Sequence, residues 1–133
     1  DATKIGSWWN AETKSHKKSI DADPTYAHAT LLYNLLEALG DEVPSHLWLS
    51  LIDGPPRLTT VMPRSALWEM LNQATTGGKR AEAVLVALLI LGELEPTQIN
   101  PIVLRQVIVS LKKVGLFAEA RSLALEAAIV AGL

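Results

Sequence analysis

A chain of 133 residues is long enough to enclose one hydrophobic core, burying roughly two thirds of the surface its unfolded form exposes. A formal charge of −2 and a pI near 5.9 give it none of the overall basic character of a nucleic-acid or anionic-membrane binder, and the lack of cysteine excludes disulfides and thiolate metal sites. The longest apolar run, Ala81 to Leu91 broken by Glu82, falls well short of the ~20 residues that span a bilayer, so a buried helix is expected and no membrane span.

Residues 1–22 read as an N-terminal arm, polar and basic, with no sustained helical period beyond a turn or two. The first residue is Asp rather than Met and no charged-then-apolar leader follows, which points to a processed chain or a domain of a longer one. Within the arm Trp8 and Trp9 stand side by side, and each indole is costly to leave in water. We expect them to dock back onto the helical body; the alternative is insertion into a partner. The basic stretch Lys14 to Lys18 is expected to be a solvated face.

From residue 23 the chain becomes a helical-repeat domain, with hairpins at about 24–53, 63–92 and 100–131. Asp23 and Pro24 form a helix start, the acid as N-cap and the proline where a missing N–H is harmless. The helix that follows, Thr25 to Leu39, carries Leu31, Leu32, Leu35, Leu36 and Leu39 and stops at Gly40. A shorter partner, Ser45 to Ile52, presents Leu47, Trp48, Leu51 and Ile52. Pro55 and Pro56 break the chain, Leu58 to Met62 is expected to be an unpaired extended linker, and Pro63 opens the next helix. That helix, Arg64 to Thr76, closes at Gly77-Gly78, and its partner Arg80 to Leu91 closes at Gly92. Asn100-Pro101 repeats the cap-and-proline start; helices Ile102 to Val114 and Ala118 to Ala131 follow, separated by Gly115.

The second and third hairpins repeat at an offset of 37 residues, which carries Gly78 onto Gly115 and Ala81-Glu82-Ala83 onto Ala118-Glu119-Ala120. The same offset maps the apolar stripe Leu67, Met70, Leu71 and Ala74 onto Leu104, Val107, Ile108 and Leu111. The first hairpin fits more loosely, with a truncated second helix as in a terminal unit. Asp23-Pro24, the glycines at Gly40, Gly78 and Gly115, and the small-acidic-small starts of the inner helices together resemble the tetratricopeptide family over residues 23 to 131. The repeat length and the partly filled aromatic positions Tyr26, Tyr33 and Trp68 depart from that family's pattern. The resemblance implies an all-α, right-handed solenoid of three stacked antiparallel hairpins, acting as a scaffold that binds a peptide or protein element.

The face of each outer helix opposite its stripe is the expected binding surface: Trp68, Glu69, Asn72 and Thr76 on one, Arg105, Gln106, Val109 and Lys112 on the other. Trp68 suits a binding hot spot, although packing against the linker or the tryptophan arm is the favoured reading. The last helix is apolar nearly all round through Ile129, Val130 and Leu133, so the arm, a second copy or a further domain is expected to cover it, and self-association is one outcome.

No catalytic, metal or cofactor signature accompanies this pattern. His16, His28 and His46 lack ligand spacing, and Gly77-Gly78-Lys79-Arg80 lacks the leading glycine and the hydroxyl of a P-loop, so it is read as a plain turn. Glu82 and Glu119 fall in first helical turns, where the dipole favours a carboxylate. A non-enzymatic homo-oligomerisation module is the close relative of the binding reading; its rivals are a helical hydrolase-like enzyme using a groove carboxylate such as Glu69 and, ranked below it, nucleic-acid contact through Lys17, Lys18, Lys79 and Arg80.

Overall fold

Glycine ends each outer helix and turns the chain back. A computed structural model describes residues 2–15, 24–52, 60–94 and 98–133. Helices α1 (Ala2–Ser15), α2 (Pro24–Leu39), α3 (Ser45–Leu49), α4 (Ser65–Thr76), α5 (Arg80–Gly92), α6 (Pro101–Lys113) and α7 (Phe117–Val130) make the described chain all-α. Gly78 and Gly115 sit at φ +65° and +88°, a region costly for any residue with a Cβ. Each places the next amide, of Lys79 or Leu116, 2.9 Å from the carbonyl of Ala74 or Leu111, the six-to-one bond that satisfies an orphan helix-end acceptor. The two turns, 37 residues apart, share one geometry.

Helix α6 is the centre of the molecule and packs against α2, α4, α5 and α7. Stacking the hairpins in chain order would set α2 against α4. Instead the principal neighbours of α2 are α6 and α7, while α4 packs on α5 and α6. The third pair therefore receives both the second pair and α2. One cluster, including Leu35, Leu67, Leu71, Val86, Ile90, Val103, Val107 and Ile108, fills the space between these helices. A second gathers Trp9, Ala29, Tyr33, Val43 and Leu47 on another side of α2, against α1 and α3.

Several sequence expectations change. The arm is in part a 14-residue helix, α1, because Ile5, Trp8 and Trp9 at i, i+3 and i+4 share a face that packs into the second cluster. Helix α3 ends at Leu49 rather than Ile52: Leu51 and Ile52 donate to carbonyls three residues back, and the Ser50 hydroxyl donates to the Leu47 carbonyl at 2.6 Å. The described end of the linker is paired, the Val61 amide donating to the Gln98 carbonyl at 3.2 Å beside an isolated parallel bridge between Val61 and Ile99. Asn100 caps α6, its Oδ1 accepting from the Ile102 amide at 2.9 Å and its Nδ2 donating to Thr60 Oγ1 at 2.9 Å. On the stripe, Leu104, Val107, Ile108 and Leu111 are all buried, whereas Met70 is 44% exposed. Position Val107 has α2 among its helix's neighbours; α4 has no such helix. The expected cap Asp23, the breaking segment 53–57 and Leu58 lie outside the described residues, as do His16, Lys17 and Lys18.

Candidate functional site

The expected binding surface divides in two. On α4, Glu69 and Thr76 are exposed and, with Asn72, Gln73 and Gly77, line an open groove of about 350 Å³. Gln73 lies one turn after Glu69 and donates to its Oε1 at 3.0 Å, a pair that the i, i+4 spacing makes natural. Asn72 accepts from Gln106 Nε2 at 3.1 Å, which ties the groove to the central helix. Trp68 is half-buried and packs against the main core. The groove thus offers a carboxylate, two amides and a hydroxyl, all short-range hydrogen-bonding groups without a strong net field.

The α6 half of the surface is used inside the molecule. Arg105 Nη2 lies 2.6 Å from Glu37 Oε2, and Glu37 Oε1 accepts from Trp48 Nε1 at 2.9 Å, so one carboxylate joins α2, α3 and α6. Lys112 Nζ donates to the carbonyls of Ala38 and Leu39 at 2.9 and 2.7 Å. These are end-of-helix acceptors, which a cation satisfies while opposing the negative end of the α2 dipole. Val109 packs against the main core. Arg105, Val109 and Lys112 therefore leave the candidate surface, because α2 docks on α6 where a free face was expected; Gln106 remains as the support of Asn72.

Trp9 is buried and meets Tyr26 edge to face, with ring centroids 5.4 Å apart at 81°, while Trp8 packs partly buried in the same cluster. The tryptophan pair is an internal anchor. Beside it Tyr33 stacks edge to face on Trp48, and its buried hydroxyl has no hydrogen-bond partner among the described residues. Burial raises the Tyr33 pKa above its ordinary value, because the phenolate would have to shed its water.

Other charged positions are accounted for by structure. Glu82 and Glu119 stand in the first turns of α5 and α7, and Lys79 lies 3.6 Å from Glu82. Arg80 Nε donates to the Val114 carbonyl at 3.0 Å and joins the two inter-helix turns. Arg64 pairs with Glu93, linking the start of α4 to the end of α5. Among the described residues no three His, Asp or Glu side chains gather as a metal site, and no helix is long and apolar enough to cross a membrane.

The sequence reading missed Gln73 and Gly77 in the groove, and Glu37 and Trp48 in the network. Gln73 was legible from its i+4 relation to Glu69; Glu37 to Arg105 spans 68 residues and had no local signal. Comparison with protein-family models, characterised proteins and solved structures gives no match.

Proposed function

We propose that this chain is a non-enzymatic protein-interaction module, a bundle of helical hairpins that holds a peptide or protein element along α4. The observation that carries the reading is the open groove of Glu69, Asn72, Gln73, Thr76 and Gly77. Its groups match a peptide backbone: amide and hydroxyl donors for carbonyls, and a carboxylate and amide oxygens for N–H groups. Asn72 is held by Gln106 and the helix is held by its core stripe, so little ordering is lost on binding. The hydrolase alternative asks for a buried, isolated carboxylate, whereas Glu69 is exposed and already accepts a hydrogen bond from Gln73.

Panning a random-peptide display library against the chain tests this directly. Enriched peptides are expected to bind the native protein and to lose at least ~10-fold in affinity to a Glu69→Arg, Thr76→Arg variant, as bulky cations fill the groove. Both positions are exposed, so the variant's circular dichroism should match the parent. An absence of enriched peptides, or equal binding to the variant, would remove α4 as the site.

A further inference from the structure

Each outer helix, α2, α4 and α6, gives way to its turn at a glycine of positive φ: Gly40, Gly78 and Gly115. Two of these turns carry a cation from another part of the chain. Before Gly40, the carbonyls of Ala38 and Leu39 accept from Lys112 Nζ at 2.9 and 2.7 Å. Before Gly115, the Val114 carbonyl accepts from Arg80 Nε at 3.0 Å. These acceptors stand at the negative poles of α2 and α6, where a positive side chain is favoured both as donor and as charge.

The turn after α4 differs. Aligning the glycines sets Thr76 and Gly77 where Ala38 and Leu39 precede Gly40, and sets Gly77 where Val114 precedes Gly115. Among the described residues no hydrogen bond reaches the carbonyl of Thr76 or Gly77. The last turn of α4 holds no basic residue, and Lys79 beyond it lies 3.6 Å from Glu82. Thr76 and Gly77 are exposed and form one end of the α4 groove. Towards the other end stands Glu69, which accepts from the neutral Gln73 and pairs with no cation among the described residues. The groove lining therefore has one negative side chain and no positive one, and the carboxyl end of α4 adds to it in sign.

We propose that the peptide held along α4 seats a lysine or arginine side chain at the Thr76–Gly77 turn, the counterpart from a partner of what Lys112 and Arg80 do within the chain. Charge complementarity selects this occupant. An acidic side chain would meet Glu69 and the helix pole with like sign, and a neutral one would gain nothing from either. Lysine fills one internal turn and arginine the other, so the seat accepts both. One carboxylate and one helix end make a local site, so a single cation at a fixed place in the peptide is expected, not a run of basic residues. Seating the cation presupposes that the α4 groove is the binding site.

The random-peptide library panned on the native chain supplies the probes. Enriched sequences should share a lysine or arginine at one position, and synthetic copies with that residue replaced by glutamine should bind at least ~10-fold more weakly in fluorescence polarisation. Gln73→Lys places a cation inside the groove, one turn after Glu69, and should bring the ratio between the charged and the glutamine peptide close to one. Glu69→Gln should lower the same ratio without abolishing it, since the helix end remains. Circular dichroism identifies which of the two variants is folded. Enriched peptides without a shared cation, a glutamine copy that binds equally, or a ratio unchanged on a folded variant would each overturn the cation seat while leaving the groove as a binding site. A library that yields no peptide, or peptides indifferent to Glu69→Arg with Thr76→Arg, would remove the groove and the cation seat together.

Discussion

Replacing Lys112 with methionine should destabilise the protein although Lys112 lies on a helix surface and belongs to no core cluster. The substitution keeps an unbranched stem of similar length, so most of the packing survives and the ammonium is what is lost. That group donates to two carbonyls, of Ala38 at 2.9 Å and Leu39 at 2.7 Å, which end α2 without intrahelical partners. Hydrogen bonds to a charged group contribute roughly 1.5–3 kcal/mol where water is excluded, and the helix dipole adds about 0.3–1 kcal/mol. Lys112 is half-buried, so water takes over part of the role once the ammonium is gone. A net loss of about 1.5 kcal/mol results, seen as a fall of about 5 °C in the melting temperature at this chain length. Urea unfolding followed by circular dichroism measures it, with Lys113→Met as the control, since Lys113 is the exposed next residue. A loss below ~0.3 kcal/mol, or one equal to the control's, would show that Lys112 does not hold α2 and would return it to the list of free surface cations.

Asn100→Ala should cost about 1–2 kcal/mol by removing the α6 cap and the bond to Thr60, whereas Asn100→Asp should recover most of the cap; chemical denaturation of both variants separates the two contributions. Gly115→Ala should destabilise by about 1–2 kcal/mol and by more than Gly78→Ala, because both force alanine to positive φ but only at Gly115 would the new Cβ meet Arg80 Nη2, at 3.0 Å; matching thermal melts would refute the difference. Tyr33→Phe should leave the protein as stable or up to ~1 kcal/mol more stable at neutral pH, since it removes a buried hydroxyl that has no partner among the described residues. The folded pKa of Tyr33 is raised, so its contribution is intact below the unfolded value near 10 and fades as pH climbs through the folded one; the variant's alkaline unfolding limb should accordingly be shallower.

Local chemistry made much of the fold legible. Glycines at positive φ and the Asn100-Pro101 start placed the helix ends within about a residue of those observed, because a helix stops where its last carbonyls find a partner. The stripe on α6 was read in full for the same kind of reason: an apolar period needs only one neighbour to bury it. Met70 shows the limit. It has the right period, yet only a further helix beside α4 would bury it, and that helix lies on α6 instead. Arg105 and Lys112 fail in the opposite sense, since polar side chains on an outward face look solvated until a distant segment supplies Glu37 and the α2 carbonyls. Helix α1 was under-read because its helicity rests less on propensity than on the docking of Ile5, Trp8 and Trp9.

Helices α2 and α5 pose one physical problem with two outcomes. Each is apolar on more than one side, and such a helix is stable in water only when it is covered on all of them. For α2 the chain supplies the cover: Leu35 and Ala38 enter the main core, while Ala29 and Tyr33 enter the cluster built by α1 and α3. For α5 the main core takes Val86, Ala87 and Ile90, and no described element reaches Leu85, Leu88 and Leu89. Exposure here is therefore not the ordinary scatter of surface leucines, because Leu85, Leu88 and Leu89 recur at helical spacing on one side of α5, and Leu88 is in register with Leu125 on α7. What α1 and α3 do for α2, no described element does for the outer side of α5.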